Sequence, residues 1–238
     1  MNRNSNTYTF LYAAIMVILV AAILASVAMA LKPRQKRNFE IEKKKNILAS
    51  VNIESDATTA ESAYAEKILK EYVVNVKGEQ VEGDAFNTDL KKERAKSADE
   101  MVLPVFEFQT EDGIKYVLPL YGAGLWGPVW GYISLDEDMN TIFGANFDHE
   151  GETPGLGAEI STTAFEQQFV GKKLFAADGD LHKISNKVCP ILVAKVGELT
   201  DEDHKVDGIS GGTITSKGLQ NMLTDDFSSY QEFLKSKK

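Results

Sequence analysis

Near the C-terminal end of the sequence, the run DGISGGTITSKG (Asp207–Gly218) sets Ser210, Thr213 and Thr215 around the adjacent glycines Gly211 and Gly212. The residues that follow place Leu219, Met222, Leu223, Phe227, Tyr230 and Phe233 at helical spacing. Thr215 or Ser216 is the expected N-cap of that helix. Thr213 then stands just ahead of unpaired helix N–H groups, where the positive end of the dipole favours an anion. Gly211 and Gly212 let a phosphate approach without a Cβ in the way. A Walker-type loop does not fit, because Lys217 follows Ser216 rather than glycine and Gly218 occupies the magnesium-binding Ser/Thr position. The residues thus describe a phosphate site beside a threonine hydroxyl, or a capped helix after a glycine turn.

A second glycine cluster, HEGETPGLGAE (His149–Glu159), lies well upstream. Pro154, Gly155 and Gly157 predict a tight loop at which a ligand meets bare backbone, with Glu150, Glu152 and Thr153 as polar contacts. The alternative is a strand-to-helix turn with exposed acids and a surface histidine. No neighbour supplies His149 with a second or third ligand, so no metal ligands are assigned. Cys189, the single cysteine, excludes an internal disulfide and a cysteine-ligated cluster. Val188 and PILVA around it predict core. No glycine-rich dinucleotide fingerprint follows a predicted strand, and no catalytic residue is assigned.

The elements that must position these groups begin with a membrane anchor. Phe10–Leu31 is an uncharged apolar run long enough, at about 1.5 Å per residue, to cross a hydrocarbon layer of about 30 Å. Tyr8 and Tyr12 suit the interface. AMA at Ala28–Ala30 imitates a signal-peptide cleavage site, but the run is longer than a signal core and only Arg3 precedes it. The expected organisation is a tail over 1–9, a transmembrane helix over 10–31, a juxtamembrane helical and linker region over 32–104, and a domain over 105–238. Residues 32–46 carry seven Lys/Arg against two Glu, so the positive-inside rule keeps that side in the cytoplasm. Residues 46–238 hold 18 basic and 33 acidic residues. That excess of acids argues against nucleic acid as a partner.

The body reads as mixed α/β. Ile41, Ile47, Leu48 and Val51 give the juxtamembrane helix a face, and Tyr64, Ile68 and Tyr72 predict a helix over Ala60–Val74. Gly78–Glu100 reads as a solvated loop. GIKYVLPLYG, GYISLD, IFGANF and CPILVAKV are expected strands. TTAFEQQFVG is expected as a helix capped by Thr162 or Thr163 and closed by Gly171.

Asp207, Ser210, Gly211 and Thr213 resemble the pattern on which bacterial flavinylated proteins carry FMN, and ETPGLG (Glu152–Gly157) resembles the companion signature of the same FMN-binding domain. Gly212 stands where that family usually has alanine. YGAGLWGPVWGYISLD (Tyr121–Asp136) and the single span extend the similarity to the C-subunit family of sodium-translocating NADH:quinone reductases. The G-subunit family of Rnf-type electron-transport complexes shares both signatures and is the rival. An anchored scaffold without functional flavin is a third reading.

The resemblance implies an α+β fold, with one N-terminal transmembrane helix before a mixed α/β FMN-binding domain. It implies covalent FMN as a phosphoester on Thr213, with Asp207, Ser210, Gly211 and Gly212 as the attachment motif. Glu152, Thr153, Gly155, Leu156, Gly157 and Thr215 are the cofactor-binding candidates, and Trp126 or Trp130 is the candidate to face the ring. Implied partners are the other reductase subunits, the lipid bilayer and an FMN transferase that takes FMN from FAD and releases AMP. The family implies a domain on the periplasmic side of the inner membrane, opposite to the charge rule. Function would be electron transfer from NADH toward ubiquinone or menaquinone, coupled to sodium export.

Overall fold

A computed structural model of the chain describes residues 6–195, 197 and 201–238. Residues 1–5 of the expected tail, and Val196 of the CPILVAKV run, lie outside the described residues. The chain divides into two units, Met1–Lys43 and Lys44–Lys238.

The first unit is helical over its described residues. Helix α1 (Asn6–Ser50) contains Phe10–Leu31, whose side chains are all exposed. Among the described residues it is the one helix long and apolar enough to cross a membrane. Pro33 lies inside it. Proline removes one backbone bond there, yet the helix runs on through Lys, Arg, Gln and Glu, all good helix formers.

The second unit is built on a six-stranded antiparallel sheet. Helix α2 (Ala60–Lys67) passes directly into β1 (Ile68–Asn75), followed by β2 (Gln80–Val81), the short helix α3 (Leu90–Glu93), β3 (Val102–Thr110), β4 (Gly113–Ala123), β5 (Pro128–Leu135) and β6 (Ile142–His149). The strand order is β2-β1-β3-β4-β5-β6. Helix α4 (Thr163–Glu166), a hairpin of β7 (Lys183–Ile184) and β8 (Lys187–Val188), the parallel pair β9 (Leu192–Ala194) and β10 (Lys205–Asp207), and helix α5 (Thr213–Lys237) complete it.

Both faces of the sheet are covered, by side chains that alternate along each strand. Leu103, Val105, Leu118, Leu120, Val129 and Ile133 meet Leu219, Met222, Leu223, Phe227, Tyr230 and Phe233 of α5. The Tyr230 hydroxyl donates to the Pro104 carbonyl at 2.7 Å. On the other face Phe108 meets Tyr64 edge-on at 5.3 Å. There the Ser134 hydroxyl donates to the Ser50 carbonyl at 2.5 Å.

The three strands expected from GIKYVLPLYG, GYISLD and IFGANF are β4, β5 and β6. Four local expectations are corrected. The helix over Ala60–Val74 stops at Lys67, because Tyr72, Val73 and Val74 pair with Val105, Pro104 and Leu103 and are buried from both sides. Gly78–Glu100 is not merely solvated loop: Glu93 is buried, and Arg94 pairs with Asp226, a carboxyl that burial pushes up to about 7 against the pull of that guanidinium. Thr162 precedes α4, but its hydroxyl donates to the Glu159 carbonyl rather than capping, and the α-helix lasts only four residues before tightening to a 3-10 turn. Helix α5 opens at Thr213, two residues before Thr215, with Gly212 at the cap position.

Candidate functional site

Three segments converge at one end of the sheet: the β4–β5 turn, the loop after β6, and the run into α5. Gly124 N–H to the Gly127 carbonyl at 2.8 Å closes the turn. Glu152 joins all three. Its Oε1 accepts from the Trp126 N–H at 2.8 Å, and its Oε2 from the Thr215 hydroxyl at 2.5 Å. Both side chains are buried, Glu152 at 4% and Thr215 at 1% exposure. Burial pushes the Glu152 carboxyl up, but Thr215 and the N–H groups of Trp126, Leu125 and Gly127 outweigh it and hold it below the usual carboxylate range. A Cβ on Gly124 or Gly157 would overlap this carboxylate, so both positions require glycine.

The two sequence clusters meet residue by residue. Leu156 covers Gly211, where an added Cβ would lie 2.7 Å from Leu156 Cδ2. Gly157 crosses Gly212, where an added Cβ would lie 3.3 Å from the Gly157 nitrogen. Glu152 meets Thr215. Gly211 has a φ of 76° and Gly155 one of 75°, the left-handed region that favours glycine.

The turn into α5 is held from within. Gly212 N–H donates to the Ile209 carbonyl at 3.0 Å, and Ser216 Oγ accepts from the Ile209 N–H at 3.0 Å. Thr215 and Ser216, the expected caps, thus bind Glu152 and Ile209 instead. The first bond into α5 runs from Ser216 N–H to the Gly212 carbonyl at 2.9 Å. The N–H groups of Thr213, Ile214 and Thr215 precede it and face out of the positive helix end.

Thr213, Ser210, Gly211, Thr153, Gly155 and Leu156 are exposed, and a Cβ on Gly155 would meet open space. Leu156, Ile214 and Trp126 are apolar and, at 42%, 59% and 69% exposure, unusually bare for their type. Trp130 is partly buried. Asp207, the last residue of β10, is half-buried. Gln168 Oε1 accepts from its N–H at 2.8 Å and Gln168 Nε2 donates to its carbonyl at 3.3 Å. Its Oδ1 is enclosed without a hydrogen-bond partner among the described residues, with Lys205 Nζ 3.5 Å away.

Sequence reasoning missed three supporting groups. His149 Nδ1 accepts from the Glu152 N–H at 3.2 Å, so the histidine holds the loop rather than merely decorating it. Gln168 fixes Asp207, and Gly124 makes room for Glu152. The spacing of Gly124 and Gly127 in GLWG is a turn signal that could have found Gly124, but nothing local points to Gln168.

The arrangement suits a phosphorylated, flat, apolar-faced ligand such as FMN. An exposed hydroxyl lies at a positive helix end, glycines leave backbone open around it, and apolar side chains are bare beside it. Thr213, Gly211 and Gly155 would meet the phosphate end, and Leu156 and Ile214 the apolar part.

Known proteins resemble this chain in sequence and fold. An FMN-binding domain family matches residues 124–226. The C subunit of Na(+)-translocating NADH-quinone reductase from Haemophilus ducreyi is 32% identical over 92% of this chain and 89% of that protein. The protein of the same name from Vibrio vulnificus is 31% identical over 88% of this chain and 85% of its own length. The crystal structure of the corresponding protein from Parabacteroides distasonis superposes with a TM-score of 0.77 at 46% identity, covering 86% of this chain and 96% of that one.

Proposed function

Because the chain belongs to the C-subunit family of Na(+)-translocating NADH-quinone reductases, we propose that it carries FMN on Thr213 and relays electrons from NADH toward quinone. It does so within a membrane complex that couples this reaction to sodium export. The observation that carries the attachment is the position of Thr213: an exposed hydroxyl on the first residue of α5, beside the crossing of Gly212 and Gly157.

In the attachment step the Thr213 oxygen bonds to the FMN phosphorus of FAD, the bond between the two phosphates breaks, and AMP leaves with the hydroxyl proton passing to solvent. An FMN transferase performs this step, reading Ser210 beside the acceptor and Asp207 at the end of the strand that leads to it. The phosphodiester keeps one negative charge, which the free N–H groups of α5 stabilise. Bound flavin supplies the electron chemistry; the protein supplies its place and local polarity. Gly155 and Gly211 admit the phosphate and ribityl chain, with Thr153 as a hydrogen-bond donor. Leu156, Ile214 and Trp126 lie against the ring. Glu152, Gly157 and Thr215 hold these groups together from beneath.

Helix α1 anchors the protein in the bacterial inner membrane by a single span, and the FMN domain faces the periplasm. Contacts with neighbouring subunits override the charge preference of residues 32–46.

The test is the intact mass and in-gel fluorescence of the denatured full chain, made with and without the transferase. A transferase-dependent gain equal to FMN less water, lost in Thr213→Ala and kept in Thr213→Ser, is expected. No gain under any condition would overturn the attachment. Alkaline phosphatase fused after Lys238 should be active if the domain is periplasmic, and inactivity would place it inside.

A further inference from the structure

Gln168 lies outside both glycine clusters, yet it holds the residue at which the run to Thr213 begins. Strands β10 and β9 form a two-stranded parallel sheet in which Asp207 lies opposite Ala194. The Gly208 N–H donates to the Ala194 carbonyl at 2.7 Å, so Gly208 turns that group toward β9. Successive residues of a strand turn their N–H and C=O to opposite edges. Those of Asp207 therefore point to the far edge of β10, where no strand runs alongside among the described residues. The Gln168 side chain takes that place. Its Oε1 accepts from the Asp207 N–H at 2.8 Å, and its Nε2 donates to the Asp207 carbonyl at 3.3 Å. One carboxamide thus gives a single residue both an acceptor and a donor, as a facing antiparallel residue would.

This clamp is firmly mounted. Gln168 sits in the 3-10 turn Gln167–Phe169, whose Phe169 is fully buried. The Phe169 ring meets Phe147 of β6 at 5.0 Å and Phe165 of α4 at 5.6 Å. Beyond Asp207, Gly208 is tied to Ala194, and Ile209 to Gly212 and Ser216. Ser210 and Gly211 then lie exposed before Thr213. The acceptor segment is thus free in its middle and fastened at its start, and part of that fastening is Gln168.

Resting on the reading that Thr213 accepts FMN, we propose that Gln168 is a positioning residue for that attachment. By holding both backbone groups of Asp207 it fixes where the run leaves β10 and how the Asp207 carboxylate is aimed. The transferase thereby meets the acceptor segment in one geometry. Gln168 acts through Asp207 alone: the Thr213 oxygen still makes the bond to phosphorus as AMP leaves.

The test uses the full chain in detergent micelles, made without the transferase and then incubated with transferase and FAD while intact mass is followed. Gln168→Met keeps the length of the side chain and removes both clamp bonds. Its kcat for FMN addition should fall at least about tenfold, with KM for the chain within about twofold of wild type. The end point should still reach one FMN per chain. A merely destabilised chain would lose end point and Tm without that split. Amide exchange in the wild-type chain, which needs no variant, should show the Asp207 N–H protected and the Ser210 N–H fast. An undiminished kcat in Gln168→Met, a loss confined to the end point, or an Asp207 amide exchanging as fast as that of Ser210 would each overturn the role of Gln168 while leaving the attachment standing. No mass gain in the wild type would overturn the attachment, and this role with it.

Discussion

Thr215→Val removes one hydroxyl and little else, and it tests whether Glu152 holds the site together. The substitution keeps the branched shape at a position 1% exposed, but it deletes the 2.5 Å bond to Glu152 Oε2. Glu152 retains its Trp126 N–H partner and has one fewer donor. A buried hydrogen bond to a charged group is worth about 1.5–3 kcal/mol. In a domain of this size each kcal/mol moves Tm by about 2–4 °C. Thermal unfolding of the full chain in detergent near neutral pH should therefore show Tm lower by roughly 3–12 °C.

The sign of the pH dependence follows from the depressed carboxyl. A folded value below the unfolded one contributes stability above the unfolded value of 4.5, and that contribution is lost as pH falls through the folded value. The deficit of Thr215→Val should shrink in acid below that value. Glu152→Gln combined with Thr215→Val should cost less than the two single changes added together, since both act on one interaction. A Tm change under about 1 °C near neutral pH, or a deficit that persists undiminished in acid, would refute the reasoning.

Gly157→Ala should lower Tm and block flavin attachment together, because its methyl would overlap Thr215 and Glu152; overpacking of this kind costs about 1–3 kcal/mol. Gly155→Ala meets open space, so only its φ of 75° resists, and Tm should fall by less. Glu166 accepts from the Phe147 N–H and the Asn146 side chain, and burial first, then nearby Asp148, push its carboxyl up to about 7. Its folded value exceeds the unfolded one, so stability from its neutral form is present below 4.5 and lost as pH rises through about 7. Glu166→Gln should flatten the Tm profile across that window; an unchanged profile would count against it. Tyr230→Phe, which deletes the bond to the Pro104 carbonyl, should cost about 1 kcal/mol in chemical denaturation with an unchanged m-value.

The sequence declares its local patterns well and its distant pairings poorly. Phe10–Leu31 is legible because an uncharged run of that length has few other readings. Strands β4 to β6 are legible because aromatic and β-branched residues alternate between glycine and aspartate turns. The passage from α2 to β1 is not, since Tyr64, Ile68 and Tyr72 fit a helical stripe and the deciding partner, β3, lies beyond β2 and α3 in the chain. Within the site, both glycine clusters stand out by composition. That Leu156, Gly157 and Glu152 meet Gly211, Gly212 and Thr215 in turn is a tertiary fact. So too is the stacking of His182 on His204, which no spacing rule relates.

The origin of the converging segments has a consequence for when the site comes into being. Trp126, Glu152 and Thr215 come from far-separated parts of the chain, and Thr213 opens a helix that is translated after every strand of the sheet. Until α5 lies across that sheet, Leu118, Leu120 and Ile133 lack their cover and the Thr213 hydroxyl has no fixed neighbours. If the proposed attachment to Thr213 requires those neighbours, it takes place late, on a domain whose layers have already closed. A transferase that requires the crossed glycines would read that closure directly, and the flavin on a mature chain would then serve as a receipt for completed folding.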